Sequence, residues 1–235
     1  MSRTFACADL HGRYDLWRKI KDFLRRDDKV IFLGDAIDRG PDGYKLMKEL
    51  LVDSQVIYLK GNHELLMQEA LEELRDSDGV PGDKFWLWHY NGCMPTYEAW
   101  QQSGGHYGII KFLKELNLWC EYSNIYGYKI FLSHAGFTPP IINIENEQDF
   151  LWNRRHFFGK IDSDRQIVVH GHTPISTLEK IIKDYDKDYT YTLEPGILIY
   201  EQYKKYDIDC GSWHTGKASL LNLDNLHVQV FTEAD

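Results

Sequence analysis

The stretch Lys29–Gly40, with the sequence KVIFLGDAIDRG, decides the fold of this chain. Val30–Leu33 is a continuous apolar run, which is typical of a strand that is buried on both faces of a sheet. Gly34 and Asp35 end the run, because a glycine followed by an aspartate favours a turn. The stretch therefore predicts a buried strand that leads directly into a loop carrying two carboxylates and an arginine.

Two similar units lie on either side of this stretch, at Thr4–Gly12 and Val56–Glu64. In each unit a short apolar run precedes a loop of acidic, histidine or asparagine residues. The predicted strands are Thr4–Ala8, Lys29–Leu33 and Val56–Leu59. Apolar residues at helical spacing follow each strand, which predicts helices at Tyr14–Arg26, Gly43–Val52 and Glu64–Leu74. This βαβαβα alternation predicts an α/β fold in which helices cover a parallel or mixed sheet.

Two later segments end in the same way. The apolar run Tyr128–Leu132 leads into Ser133-His134-Ala135-Gly136, and Gln166–Val169 leads into His170-Gly171-His172-Thr173. Because the carboxyl ends of parallel strands meet at one edge of a sheet, all five loops are expected to converge there. An isolated Asp-x-His is more often a capped turn than a pair of ligands, but five such loops, each after an apolar strand, are hard to explain as capping. The pattern therefore predicts an active site at the strand ends.

The convergent side chains are carboxylates, imidazoles and one amide, without a thiolate. This mixture suits manganese, iron or zinc better than calcium or magnesium, which prefer shells made of oxygen alone. Candidate ligands outnumber the four of a tetrahedral zinc site, so a centre of two metals is favoured. Two metals about 3.5–4 Å apart share a water and supply hydroxide at neutral pH, which indicates hydrolysis of a phosphate ester.

The rest of the chain is predicted to continue the same single domain, residues 1–235, without an internal repeat or a linker. The segment 76–118 is rich in Trp and Tyr and has mostly helical periodicity. Its aromatic side chains are expected to form core, with stacking on an adenine as the alternative. After Thr177 the pattern changes to a charged turn and short β-like runs, which include Ala218–Leu223 and His227–Phe231. We interpret the insertion 177–205 as a rim or lid of the site.

Composition argues against several classes of protein. Of 235 residues, 43% are apolar and 14% aromatic, which is too many for a disordered chain. The 27 Lys and Arg are outnumbered by 36 Asp and Glu, and the net charge of −9 argues against a nucleic-acid binder. The four cysteines form no CxxC pair and are expected to be buried free thiols. No signal peptide or membrane span is recognisable, so a cytoplasmic protein without a membrane partner is expected.

The five loops resemble the signature motifs of the phosphoprotein phosphatase branch of the calcineurin-like metallophosphoesterases. The motifs are Asp9-x-His11-Gly12, Gly34-Asp35-x-x-Asp38-Arg39-Gly40, Gly61-Asn62-His63-Glu64, Ser133-His134-Ala135-Gly136 and Gly171-His172-Thr173-Pro174. In order and spacing the likeness runs over residues 3–223. Within the branch it is to the lambda-type serine/threonine protein phosphatases and to the diadenosine tetraphosphatases. The resemblance implies central mixed sheets that form a β-sandwich flanked by helices.

The resemblance also implies a role for each matching residue. The implied metal ligands are Asp9, His11, Asp35, Asn62, His134 and His172, with Asp35 bridging the two ions. His63 is implied as the general acid that protonates the leaving oxygen, while Asp38 accepts its other N–H. Arg39 would bind the phosphate, together with Asn62 and a second arginine. For that second arginine we choose Arg154, with Arg155 as the alternative.

Five positions near the motifs depart from the family pattern or add to it. Ala8 stands where family members usually have Gly or Ser, and Lys60 where the phage-type phosphatases place arginine. His170 lies two residues before the last implied ligand, so both would face the same way in an extended segment. Asp209 is interpreted as a residue that supports the metal ligands. Glu64 is expected to cap the helix that follows it and not to bind metal.

These residues predict a hydrolase that cleaves phosphate monoesters by direct attack of a hydroxide bridging two divalent metals, Mn²⁺ first and Fe or Zn as alternatives. The branch favours a serine/threonine-type protein phosphatase, whose substrate is a phosphorylated protein. A bis(5'-nucleosyl)-tetraphosphatase, which acts on a nucleotide, is the alternative with the same chemistry. A non-catalytic metal-binding module is the alternative of another class. It is disfavoured because His63, Asp38 and Arg39 are all present.

Overall fold

The structure, a computed structural model, describes residues 2–137, 147–154, 161, 165–185, 190–200 and 204–234. Within these ranges the strands are β1 (Thr4–Cys7), β2 (Lys29–Phe32), β3 (Val56–Tyr58), β4 (Trp119–Ser123), β5 (Lys129–Ser133), β6 (Gln166–His170), β7 (Thr192–Glu194), β8 (Ile197–Tyr200), β9 (Lys205–Asp207), β10 (Lys217–Asn222) and β11 (Val228–Thr232). The helices are α1 (Tyr14–Phe23), α2 (Gly43–Val52), α3 (Asn62–Asp76), α4 (Asp83–Tyr90), α5 (Met94–Gln102), α6 (Ile109–Glu115), α7 (Glu147–Leu151), α8 (Ile175–Tyr185) and α9 (Ser212–Thr215).

The first sheet contains the strands of the three N-terminal strand–loop units. Its strand order is β11-β10-β1-β2-β3, with β1, β2 and β3 parallel and with β10 and β11 antiparallel to their neighbours. Successive side chains of a strand point to opposite faces. Phe5 and Cys7 therefore pack with the helices on one face, whereas Ala6 and Ala8 face the other sheet. All four are buried, as expected of a central strand that is covered on both sides.

The second sheet has the strand order β4-β5-β6-β9-β8-β7, in which β5, β6 and β9 are parallel and the remaining pairs are antiparallel. It packs face to face on the first sheet through one apolar cluster. Its buried members are Ala6, Ala8, Ile31, Leu33, Leu59, Ile130, Leu132, Ile167, Val169, Ile197, Ile208, Leu221 and Leu223. This arrangement confirms the mixed α/β fold and the β-sandwich that the motifs imply.

Helices cover the outer faces of the sandwich. The core on the outer side of the first sheet takes side chains from α1 to α6, and it includes Trp17, Met47 and Trp88. On the outer side of the second sheet, Leu178 and Ile182 of α8 pack with the strand residues of β8. Because the helices occupy the flanks, the loops at the strand ends are left to form the functional edge.

The first predicted helix is shorter than its periodicity suggested. The sequence predicts a helix over Tyr14–Arg26, but α1 ends at Phe23 because Leu24 is extended, with φ −71° and ψ 142°. The backbone then turns, and the buried carboxylate of Asp28 accepts a hydrogen bond from the N–H of Arg25. This tertiary contact overrides the helical propensity of the intervening arginines.

Four elements were not predicted from the sequence, namely strand β4 and helices α7, α8 and α9. Strand β4 lies just after the helical segment 76–118, where no element was predicted, and its half-exposed residues show no buried apolar run. Helix α8 lies where the sequence was interpreted as short β-like runs, and that interpretation was wrong. The buried Leu178 and Ile182 are four residues apart and therefore share one face of this helix.

The aromatic residues of 76–118 divide into two groups. Trp88 and Trp100 are buried, and Tyr97 and Tyr107 pack against them or their neighbours, as expected of core. Trp86 and Tyr90 were also expected in the core, but they are 46% and 84% exposed. Helix α4 has two sides, and only the side that carries Phe85 and Trp88 packs into the core.

Two further observations concern the expectations from composition. All four cysteines are free, with Cys7 and Cys93 buried and Cys120 and Cys210 half-buried. Among the described helices, none is both long and apolar enough to cross a membrane.

Asp28 should stabilise the fold in a pH-dependent way. Burial acts to raise the pKa of this carboxyl group, but hydrogen bonds from Arg3 and Arg25 outweigh burial and lower the pKa to about 2. A depressed pKa adds stability above the unfolded value, near about 4, and this stability is lost as the pH falls from there to about 2. Asp28→Asn should therefore lower the free energy of unfolding by about 2 kcal/mol at pH 7 and flatten its pH dependence in that window.

Urea unfolding at pH 7 and pH 3 measures both effects. The exposed neighbour Asp27 provides the control variant Asp27→Asn. Equal losses of stability in the two variants would contradict the role given to Asp28.

Candidate metal centre

Loops from both sheets place the predicted residues at one edge of the sandwich. Asp9 follows β1, Asp35 follows β2, and Asn62 begins α3 directly after β3. His134 and His172 follow β5 and β6 in the second sheet. Backbone contacts join the loops, because the N–H of Gly12 donates to Ala36 and the N–H of Gly171 donates to His134. The predicted convergence of the five loops is therefore present.

The site residues adopt an unusual backbone conformation. Among the described residues other than glycine, nine have a positive φ, and six of these belong to the site. The six are Asp9 (53°), His11 (43°), Asp35 (58°), Asp38 (70°), Arg39 (64°) and His172 (69°). A side chain in this left-handed region costs free energy and is retained where surrounding contacts fix it, which is a recurrent property of functional sites.

A close approach of two glycines brings the second and third loops together. Gly34 has φ +92°, and a Cβ atom on it would lie 2.4 Å from Cα of Gly61. Any side chain here would separate the loops that carry Asp35 and Asn62. These glycines of the motifs are therefore required by packing.

Two clusters of metal-binding side chains share one carboxylate. His11, Asp35 and His63 form the first cluster, and Asp35, His134 and His172 form the second. Within each cluster the ligand atoms lie within 4.8 Å of one another. The two oxygens of Asp35 point to different histidines, with Oδ2 3.6 Å from Nε2 of His11 and Oδ1 3.5 Å from Nε2 of His134. Asp35 is therefore placed to contact an ion in either cluster.

Backbone carbonyls orient two of these histidines. Nδ1 of His11 donates to the carbonyl of Ile37 at 2.9 Å, and Nδ1 of His134 donates to the carbonyl of Leu33 at 2.8 Å. Each Nδ1 must carry the proton for this bond, so each Nε2 presents a lone pair toward Asp35. Such fixed tautomers are typical of histidines that bind metals.

Asn62 and Asp9 complete the surroundings of the second cluster. Oδ1 of Asn62 lies 2.8 Å from Nε2 of His134 and 2.9 Å from Nδ1 of His172. Oδ2 of Asp9 accepts a hydrogen bond from the backbone N–H of His172 at 3.0 Å. Asn62 thus lies among the ligand atoms, whereas Asp9 borders them from the loop after β1.

The charges within the site fit metal ions. Burial acts to raise the pKa of Asp35, but the three neighbouring histidines outweigh burial and keep the pKa low. Burial lowers the pKa of His11, His134 and His172. Metal ions require ionised carboxylates and neutral imidazoles. The site favours these forms for Asp35 and the three histidines, whereas burial and the charges of Asp209 and Asp35 raise the pKa of Asp9. The residues therefore fit a centre of two divalent ions.

His63, a member of the first cluster, forms a buried pair with Asp38. Nδ1 of His63 donates to Oδ2 of Asp38 at 2.7 Å, and Nε2 points toward the site. Burial acts to lower the pKa of His63, but the carboxylates of Asp35 and Asp38 outweigh it and raise the pKa. The guanidinium of Arg39 lies against the same edge, 3.0 Å from Nε2 of His63 and 2.8 Å from Nε2 of His11. Nε2 of His63 and an anion-binding guanidinium thus face one point, and in this arrangement Nε2 accepts a hydrogen bond from Arg39.

The second arginine lies on the other side of the site. Nε of the exposed Arg154 donates to Oγ1 of Thr173 at 3.2 Å, next to His172. This positive charge helps to lower the pKa of His172, after burial and His134. Arg155, the alternative choice, lies outside the described residues.

Glu64 caps helix α3, as expected from the sequence. Its carboxylate accepts hydrogen bonds from the backbone N–H groups of Gly61, Asp35 and Ala36 at 2.9, 2.7 and 3.0 Å, and from the hydroxyl of Tyr58. With these bonds Glu64 fixes the second loop against the third.

The remaining candidates lie around the clusters. Buried Lys60 donates to Glu147 and Gln68 and belongs to neither cluster. His170 is buried, with Nδ1 3.0 Å from the carbonyl of Gly171, and it is also outside the clusters. Asp209 is buried, and its charge acts on Asp9. The structure places these groups behind the ligands.

One residue in contact with the site was missed from the sequence. Nε1 of Trp88 donates to Oδ2 of Asp38 at 2.8 Å. In the sequence Trp88 shares its helical spacing and residue type with the core aromatics around it. That pattern contains no signal that separates Trp88 from a core residue.

Comparisons with known proteins agree with these motifs. Residues 2–209 match the family model of the calcineurin-like phosphoesterases. The chain is 38% identical over 82 residues to the symmetrical bis(5'-nucleosyl)-tetraphosphatase of Nitrosospira multiformis, which is 32% of this chain and 30% of that protein. It is 26% identical over 185 residues to serine/threonine-protein phosphatase 1 of Salmonella typhimurium, which is 73% of this chain and 79% of that protein.

The extent of these likenesses differs. The match to the tetraphosphatase spans less than a third of that protein, whereas the match to the Salmonella phosphatase spans most of both chains. Among solved structures, the cold-active protein-tyrosine phosphatase of a Shewanella species is similar with a TM-score of 0.60 and 16% identity, over 99% of this chain and 78% of that one. At this identity the structural likeness concerns the fold alone.

Gly171→Ala should weaken metal binding without removing a ligand. A Cβ atom at Gly171 would lie 2.0 Å from Oδ2 of Asp9, so the carboxylate has to move. We expect the affinity for Mn²⁺, measured by titration calorimetry and by metal content after dialysis, to fall at least about tenfold. Gly108→Ala is the control, because a Cβ there meets nothing within 4 Å. Unchanged affinity in Gly171→Ala would contradict a ligand role for Asp9.

Proposed function

We propose that this chain, which belongs to the calcineurin-like phosphoesterase family, is a serine/threonine-type protein phosphatase that uses two divalent transition metal ions. The observation that carries the proposal is the pair of clusters that share Asp35. Arg39 adjoins the first cluster, in which His63 pairs with Asp38, and Arg154 lies near the second. A phosphate monoester placed between these groups would meet cations, a proton donor and anion-binding side chains together.

The metal ions would be held by residues of both sheets. Asp9, His11 and Asp35 would hold one ion, and Asp35, Asn62, His134 and His172 the other. Mn²⁺ is the proposed metal, with Fe or Zn as alternatives, because the donors mix imidazole and oxygen. When bound, the two ions would activate a water molecule and offset the negative charge of the phosphate.

The other residues of the site would bind the phosphate and transfer a proton. The fork of Arg39 matches two phosphate oxygens, and Arg154 would bind from the opposite side. Once Arg39 turns to the phosphate, Nε2 of His63 would be free to carry the proton that it delivers to the leaving oxygen, while the bond from Nδ1 to Asp38 keeps the ring oriented. Since all of these groups are in place, the non-catalytic alternative has no support in the site.

The choice of substrate rests on the extent of the likenesses. The match to the Salmonella serine/threonine phosphatase extends over 79% of that protein, and this supports a phosphorylated protein as substrate. The higher identity to a bis(5'-nucleosyl)-tetraphosphatase, limited to 82 residues, supports hydrolysis of a dinucleoside tetraphosphate as the second candidate. The chemistry at the site is the same for both.

The insertion 177–205 remains a proposed rim or lid of the site. It contains most of α8 and the strands β7 and β8, which pair with the second sheet. Removing it would delete two strands, so point substitutions are the better test of the proposal. The cytoplasmic location also remains a prediction from the sequence.

His63→Asn should separate catalysis from metal binding. We expect kcat on a phosphoserine peptide to fall about 10²–10⁴-fold, because the proton donor is lost. The two equivalents of Mn²⁺ should still bind, as measured by metal content. His227→Asn, at an exposed histidine before β11, is the control. Near-normal turnover of the peptide by His63→Asn would remove His63 from the mechanism.

A substrate panel decides between the two candidates. Metal-stripped protein is repopulated with Mn²⁺, and phosphate release is compared for a phosphoserine peptide, diadenosine tetraphosphate and p-nitrophenyl phosphate. We expect the highest kcat/KM for the peptide. A preference for the dinucleotide would favour the second candidate, and no hydrolysis by protein that holds two metals would contradict both.

A further inference from the structure

The helical segment 76–118 contacts the loop after β2 at three points. Nε1 of Trp88 donates to Oδ2 of Asp38 at 2.8 Å, and the backbone N–H of Asp38 donates to Oγ1 of Thr96 at 2.8 Å. The backbone N–H of Arg39 donates to the carbonyl of Gly92 at 2.9 Å. The segment 76–118, whose aromatic residues were expected to form core, is therefore attached to two of the proposed functional residues.

These contacts hold two consecutive residues in a strained backbone conformation. Asp38 and Arg39 are consecutive residues in the left-handed region, with φ of 70° and 64°. Neither is a glycine, so surrounding contacts have to hold this conformation. Trp88, Thr96 and Gly92 supply such contacts, one to a side chain and two to the backbone.

The bond from Trp88 acts on the atom that orients His63. Oδ2 of Asp38 accepts both Nε1–H of Trp88 and Nδ1–H of His63, the latter at 2.7 Å. The three side chains are buried, with relative exposures of 0–1%, so water does not compete for these bonds. Rotation of the carboxylate would break two hydrogen bonds in a dry environment, where each is costly to lose.

We propose that Trp88 is a positioning residue for the proton donor His63, acting through Asp38. The inference rests on the proposed function, because it assigns Trp88 to the same proton transfer. Helix α4 would thus set the orientation of the imidazole while touching neither the metals nor the phosphate. The indole N–H fixes the carboxylate, and the carboxylate fixes the ring.

Trp88→Phe removes the N–H and keeps an aromatic ring. We expect kcat on a phosphoserine peptide to fall about tenfold, with KM and Mn²⁺ content unchanged, because a misplaced proton donor slows the chemical step. The loss on p-nitrophenyl phosphate should be smaller, since its activated leaving group needs less protonation. Trp100→Phe is the matched control, because this buried indole donates to the carbonyl of His106.

A double-mutant cycle separates positioning from a structural role. In a His63→Asn background the further change Trp88→Phe should alter kcat by less than about twofold, because the residue it positions is gone. If Trp88→Phe does not fold, benzothienylalanine at position 88 replaces the N–H by sulfur in a ring of nearly the same shape. We expect the same loss of kcat for that protein, and again little further loss in the His63→Asn background.

The outcomes distinguish this proposal from the proposed function. Three outcomes would overturn the role of Trp88. They are an equal loss of kcat on both substrates, a loss of kcat no larger than that of Trp100→Phe, and a loss of kcat that is undiminished in the His63→Asn background. A wild-type protein that hydrolyses none of the phosphate esters would overturn the proposed function itself. A His63→Asn variant with normal turnover would remove His63 from the mechanism, and with it the role of Trp88, but not the phosphatase activity.

Discussion

The site depends on the carboxylate of Glu64. This buried group accepts the backbone N–H groups of Asp35, Ala36 and Gly61 and the hydroxyl of Tyr58. Four hydrogen bonds leave it no free capacity for a metal ion. They join the loop after β2 to the start of α3, and so they fix the distance between the shared carboxylate and the residues of the third loop. A residue that stands among the functional positions in sequence is therefore the one that holds them together.

The close packing of the loops also explains the backbone conformation of the site. Six of its residues lie in the left-handed region, where each side chain costs about 1–3 kcal/mol. The sandwich and its helices offset this cost through contacts such as those of Gly34 with Gly61 and of Trp88 with Asp38. Strain is concentrated where the carboxylates and imidazoles must meet, and the regular strands behind them remain relaxed.

The sequence predicts those parts of the molecule that repeat a simple pattern. The strands beside Asp9 and Asp35 are apolar runs that end in glycine or acidic residues, and the convergence of their loops follows from parallel pairing. Strand β4 was missed because its residues form no buried apolar run, and helix α8 was missed although Leu178 and Ile182 have helical spacing. The contact of Trp88 with Asp38 joins residues fifty positions apart, and periodicity shows only that such a residue is buried.

The candidate ligands come from both halves of the sandwich, with His11 and Asp35 on the first sheet and His134 and His172 on the second. An ion held by both sheets binds the folded chain and not the unfolded one, so its binding adds to the free energy of unfolding. A metal ion whose free concentration is 100 times its dissociation constant adds about 2.7 kcal/mol to the free energy of unfolding. Under metal starvation the chain would therefore unfold and be degraded more readily, and the cellular abundance of the protein would follow the supply of metal.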